Sequence, residues 1–195
     1  MKFKWFIWMI FLLLIFASCE QGTPSSLEVN MYNASGDMVG KATLTDGKNE
    51  VTIKLKVEGF SPGFHGIHIH EYAKCDAPDF KTAGNHFNPE GKKHGLMHPE
   101  GTHIGDLPNV EADSSGIIDT EITVSDATLK EGKKSLLTGE GTALIITEDQ
   151  DDGMTQPSGE SGKRLVCGKI TKQKDDASNE EPTDPTEIQS ETEEE

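Results

Sequence analysis

The chain has 195 residues, 33% of them hydrophobic, which suits one domain of ordinary size with tails. Its formal net charge of −16 excludes nucleic acid as a partner, because phosphate contact needs a surplus of Lys and Arg. Solubility and self-repulsion are what such a charge provides.

Residues 1–18 have the make-up of an export signal. Lys2 and Lys4 give a basic start, and "WFIWMIFLLLIF" is an apolar run too short for a comfortable membrane span. It ends in Phe16-Ala17-Ser18-Cys19, which resembles a bacterial lipoprotein signal whose cysteine becomes the lipid-carrying N-terminus. A plain secretory signal and an uncleaved anchor are the alternatives, and all three put the following domain outside the cytoplasm. The lipoprotein form predicts an anchor in the bacterial cell membrane through lipid on Cys19, with residues 19–26 as a polar tether. Of the three cysteines, Cys75 and Cys167 then remain. In an oxidising compartment they are free to pair or to stand as two thiols.

From Leu27 the pattern becomes strand-like, and residues 27–172 are expected to form the domain. "LEVNMYN" and "MVGKATL" read as strands separated by the turn signal "ASGD". In "EVTIKLKVEG", Val51, Ile53, Leu55 and Val57 alternate with Thr52, Lys54 and Lys56, giving one apolar and one wet face. "GIIDTEITV", "GTALIIT" and "RLVCGKI" supply three more strands. Between Tyr72 and Val110 lies a Gly-, Pro- and His-rich stretch with little periodicity, and loops of that length in compact domains usually have a function. "DQDDGMTQPSGESGK" is a second irregular loop. Residues 173–195 are rich in Asp, Glu, Ser, Thr and Pro and cannot bury enough apolar surface to order themselves, so a disordered acidic tail is expected. The whole predicts an all-β sandwich or barrel with two elaborate loops.

The chain's seven histidines are concentrated in two places. In "GFHGIHIHE", His68 and His70 stand two apart on an expected strand, so both imidazoles leave one face while Ile67 and Ile69 leave the other. In "NHFNPEGKKHGLMHPEGTHIGDLPN", His86, His94 and His103 are followed by Asp106. Three imidazoles and a carboxylate make a full tetrahedral zinc set, and four protein ligands leave no open position, which marks a structural site.

Together, "GFHGIHIHE", "CDAPDFKTAGNHFNP", "KKHG", "GTHIGDLPN" and "SGKRLVCG" resemble the bacterial branch of the copper/zinc superoxide dismutases, from about Leu27 to Thr171. The resemblance implies a Greek-key β-barrel of about eight antiparallel strands with long metal-binding and active-site loops. It implies conversion of superoxide to oxygen and hydrogen peroxide at a copper centre supported by a structural zinc, one of each per chain. By the same resemblance His68, His70 and His86 match copper ligands, and His86 matches the imidazolate that bridges the two metals. His94, His103 and Asp106 match the remaining zinc ligands. Asp151 matches a carboxylate joining a copper histidine to a zinc histidine, here His68 and His94. Cys75 and Cys167 match the family's intrasubunit disulfide, and Arg164 matches the arginine that draws superoxide in. His65 matches a structural histidine, His98 matches no family role and reads as a surface residue, and a homodimer is compatible with the pattern.

One position departs. The family's fourth copper histidine falls in a stretch that here reads "ALIITEDQDD", and the ligand position holds Thr147. A neutral hydroxyl is a poor ligand for Cu(II) beside imidazole. The expectation is therefore an exported superoxide dismutase with three copper histidines. The alternatives are a catalytically impaired zinc-binding relative and a copper-handling protein.

Overall fold

The computed structural model describes residues 26–172. The expected signal at 1–18, the expected lipid site Cys19, all of the expected 19–26 tether except Ser26, and the expected acidic tail at 173–195 lie outside the described residues. Among the described residues, no helix is long and apolar enough to cross a membrane.

The strands are β1 (Ser26–Asn33), β2 (Met38–Asp46), β3 (Glu50–Glu58), β4 (Gly63–His65), β5 (Ile67–His70), β6 (Val110–Ala112), β7 (Ile117–Ser125), β8 (Thr142–Thr147) and β9 (Arg164–Ile170). Seven of them form one sheet in the order β5-β8-β9-β1-β2-β3-β7, while β4 and β6 pair as a small second sheet. Every strand pair is antiparallel. The seven strands of the large sheet are those the alternation predicts. The two three-residue strands, β4 and β6, are additional, and three residues are too few to carry a period.

Alternation explains how the sheet closes on itself. On β3 the side chains of Val51, Ile53, Leu55 and Val57 are buried, and Lys54 and Lys56 are exposed. Lys54 and Lys56 face Glu121 and Asp119 of β7 at 3.8 and 3.1 Å, exposed pairs that add little stability. The inward residues of β1, β2, β3, β5, β7, β8 and β9 join Val110 and Ala112 of β6 in a single cluster. A cluster drawing on both edge strands of one sheet requires that sheet to curl. The β1–β2 connection is held by Asn33, whose Oδ1 accepts the backbone N–H groups of Ser35 and Asp37. At Gly40, φ is +150° and any Cβ would collide with the Lys56 carbonyl, so only glycine lets β2 approach β3 there.

Strand β8 is buried on both faces. Leu144 and Ile146 enter the main core, whereas Ala143 and Ile145 pack outward on Phe80, Ala83, Cys167 and Cys75. Cys75 and Cys167 form a disulfide that spans 92 positions and ties the loop after β5 to β9. Phe80, buried and in the left-handed region at φ 53°, plugs the same small cluster just before a 3-10 turn, Lys81–Ala83. The long loops 71–109 and 148–163 thus lie over the outer face of β5 and β8. That is the face from which His68 and His70 project.

Candidate metal centre

Strand β5 places Ile67 and Ile69 in the core and turns His68 and His70 to the opposite face, where the loops bury them. The bridges His68↔Asp106 and His70↔His86 bring the long loop alongside β5. Sequence-distant ligating residues become neighbours in this way.

Asp106 is the hub of one cluster. Its Oδ1 meets Nδ1 of His86 at 2.8 Å, of His94 at 3.0 Å and of His103 at 3.2 Å. Its Oδ2 accepts from Gly95 N–H at 2.8 Å, His103 N–H at 3.0 Å and the Thr102 hydroxyl at 3.1 Å. Six donors on one buried carboxylate outweigh burial, which alone would raise its pKa, and hold it far below the usual range. His86, His94, His103 and Asp106 offer ligand atoms all within 4.8 Å of one another. This is the zinc-type donor set expected from the spacing.

The second cluster consists of His68, His70 and His86, again with ligand atoms within 4.8 Å of one another. Each ring has one nitrogen fixed. His68 Nε2 bonds Asp151 Oδ2 at 2.7 Å, and His70 Nδ1 donates to the Gly84 carbonyl at 3.0 Å. The other nitrogens, His68 Nδ1 and His70 Nε2, are buried with no hydrogen-bond partner. Buried orphaned nitrogens are costly and rare. A metal accepting both lone pairs satisfies them, so this donor set fits copper or another imidazole-preferring ion. His86 belongs to both clusters, and its ring stacks on His68 with centroids 4.0 Å apart.

The two clusters are joined again through Asp151, which bonds His68 Nε2 and, through Oδ1 at 3.2 Å, His94 Nε2. Burial would raise the Asp151 pKa, but these imidazoles hold it below the usual range. The histidines diverge in proton affinity for a visible reason. His86 is pushed down to about 4 chiefly by burial, with one carboxylate contact against the nearby His68 and His94. For His94 burial also disfavours charge, but it has Asp106 on one ring nitrogen and Asp151 on the other, and is raised to about 9. His70 lies well below its ordinary value, first through burial and then through His86 and Arg164.

Arg164 opens β9 directly opposite Thr147 at the end of β8. Its Nη1 donates to the Phe80 carbonyl at 2.8 Å and its Nη2 to the Gly84 carbonyl at 2.9 Å. Gly84 O therefore takes both Arg164 and His70, which fixes the guanidinium beside the copper-type cluster. Thr147 is buried, and its hydroxyl reaches the Gly66 and Asp149 carbonyls at 3.1 and 3.2 Å. It is thus engaged with backbone. His65 is buried below it, between the Thr147 and Ser61 carbonyls at 2.8 Å each and against Phe60, the structural place expected for it. His98 is partly exposed and accepts the Glu100 N–H through Nδ1.

Two contributors carry no sequence signal. Asn109 pairs its carboxamide with the backbone N–H and C=O of Asp151 by two 2.8 Å bonds, and Gln156 pairs with those of His94 at 3.0 and 2.8 Å. Both are single polar residues in irregular loops, where no period or spacing marks them.

A family model described as copper/zinc superoxide dismutase (SODC) matches residues 38–170. Superoxide dismutase (Cu-Zn) 2 of Aquifex aeolicus strain VF5 is 44% identical over 161 residues, covering 82% of this chain and 93% of that protein. The crystal structure of a SOD-like protein from Bacillus subtilis superposes with a TM-score of 0.71 at 40% identity, covering 73% of this chain and 97% of that one. Cu/Zn superoxide dismutase from Brucella abortus gives a TM-score of 0.63 at 26% identity, over 75% of this chain and 99% of that one.

Proposed function

The chain belongs to the copper/zinc superoxide dismutase family, and on that premise we propose that it is an exported superoxide dismutase whose copper is held by three histidines beside a structural zinc. The observation that carries this is the orphaned pair His68 Nδ1 and His70 Nε2 converging with His86, next to a guanidinium fixed on the same Gly84 carbonyl as His70.

In this reading His86, His94, His103 and Asp106 would hold zinc, and His68, His70 and His86 would hold copper. Bound copper supplies the one-electron chemistry that converts superoxide to oxygen and hydrogen peroxide. The chain's own groups prepare that chemistry. Asp151 and the Gly84 carbonyl each take one ring nitrogen, which aims the other lone pair of His68 and His70 into the cluster. The low proton affinity of His86, set chiefly by burial, leaves one ring nitrogen with a free lone pair at neutral pH, and a second ion on the ring would have to displace the remaining N–H proton. Arg164 offers a fixed positive charge to an arriving anion. The Thr147 hydroxyl is engaged with the Gly66 and Asp149 carbonyls, so the donors that would hold copper are His68, His70 and His86. The name of the Aquifex relative supports the enzymatic reading.

A second reading, a zinc-stabilised protein without dismutase activity, is favoured by Thr147 and by the likeness to a Bacillus subtilis protein described only as SOD-like. The Arg164→Ala variant of the copper- and zinc-loaded protein separates them. The enzymatic reading expects dismutation to fall by about 10-fold or more as steering is lost, with copper content unchanged. A wild-type protein with no activity above that of free copper sinks it. Location is part of the proposal: a tether through lipid on Cys19 holds the domain outside the cytoplasm, and mass spectrometry of the mature N-terminus without acyl chains would reject it.

A further inference from the structure

We infer that Gln156 is a positioning residue for the zinc ligand His94, acting on its peptide groups and not on its ring; this rests on the metal-centre reading above. Gln156 Oε1 accepts the His94 backbone N–H at 3.0 Å, and its Nε2 donates to the His94 carbonyl at 2.8 Å. The same Nε2 donates to the Met154 carbonyl at 3.1 Å. One carboxamide thus satisfies both backbone groups of a residue 62 positions away. Its two ends are not interchangeable: turned over, an NH₂ would face an N–H and an oxygen would face two carbonyls.

His94 needs such a partner. It sits in irregular chain with no strand neighbour to pair its N–H and C=O, and it is fully buried, where unpaired backbone groups are costly. Asp106 and Asp151 fix the two ring nitrogens, but the direction in which the ring leaves the backbone depends on the peptide, and that is what Gln156 holds.

Adjacent contacts align with the clamp. Met97 N–H donates to the Gly153 carbonyl at 3.1 Å, and a Cβ on Gly95 would collide with that same carbonyl. Gly159, at φ +66°, brings its backbone so close that a Cβ would collide with the Asp151 carboxylate. The 148–163 loop, which runs from Thr147 to Arg164, is therefore zipped to the zinc loop through a residue that is in neither ligand set. Gln156 thereby sets zinc affinity from the 148–163 loop, which also carries the Asp151 carboxylate bonded to His68.

The test uses the full exported chain with Gln156→Ala and Gln156→Met, the second filling the space if the first does not fold. Zinc affinity is read by chelator competition, and the site's geometry by the visible absorption of cobalt(II) loaded in place of zinc. The expected result is zinc binding weakened by about 10- to 100-fold, the usual cost of losing a group that orients a ligand, with displaced cobalt bands. Zinc affinity within about twofold of wild type and unchanged cobalt bands would overturn the inference, leaving Gln156 a loop-packing residue. A wild-type protein that binds no zinc overturns the metal-centre reading, and this inference with it.

Discussion

Asp106→Asn in the metal-free protein is the sharpest test of how the centre is held before metal arrives. At neutral pH Asp106 is ionised and His94, raised to about 9, carries a proton, so the two form a buried ion pair at 3.0 Å. Asparagine keeps the shape and removes the charge. It also puts an NH₂ where an acceptor stood, so either the three imidazoles on Oδ1 or the three donors on Oδ2 lose their partner. Removing one member of a buried pair costs about 3–5 kcal/mol, because the remaining charge stays buried and uncompensated. Domains of this kind have total stabilities of about 5–15 kcal/mol, so about a fifth or more is at stake. Denaturant unfolding in excess chelator reads it directly, as a lower midpoint with an unchanged slope. A loss below about 1 kcal/mol would refute the idea that Asp106 organises the loop without metal.

Zinc affinity is expected to rise with pH. His94 is protonated in the metal-free protein up to about pH 9 and must lose that proton to ligate, so affinity gains about tenfold per pH unit between about pH 7 and 8; a flat profile in chelator competition would contradict it. Reduction of Cys75–Cys167 is expected to cost about 4–5 kcal/mol, the chain-entropy value for so long a loop, and to release the Phe80 and Gly84 carbonyls from Arg164. Equal unfolding midpoints with and without reductant would rule that out.

The large sheet was legible because each of its strands has a face that must be apolar: Val51, Ile53, Leu55 and Val57 repeat at two, and burial follows. His68 and His70 were legible by the same rule, and the zinc-type set by its spacing. The β4 and β6 strands were not, since three residues with one or two buried side chains are indistinguishable from loop. Asn109 and Gln156 were not because their partners are peptide groups, and a peptide group has no sequence signature. Thr147 falls between these cases. Its departure from the family was visible, whereas its engagement with the Gly66 and Asp149 carbonyls depends on the bend where β8 meets β9, at the register shift between Ile146 and Thr147.

Copper content and dismutation of the protein, measured beside Thr147→His, test the central proposal most directly. Three imidazoles with a fixed Arg164 predict one copper and one zinc per chain and dismutation above that of free metal. Restoring a fourth nitrogen donor should tighten copper and raise the rate. Wild type as active as Thr147→His would contradict the argument from the missing ligand, and zinc at one equivalent with no copper and no dismutation would contradict the proposed function itself.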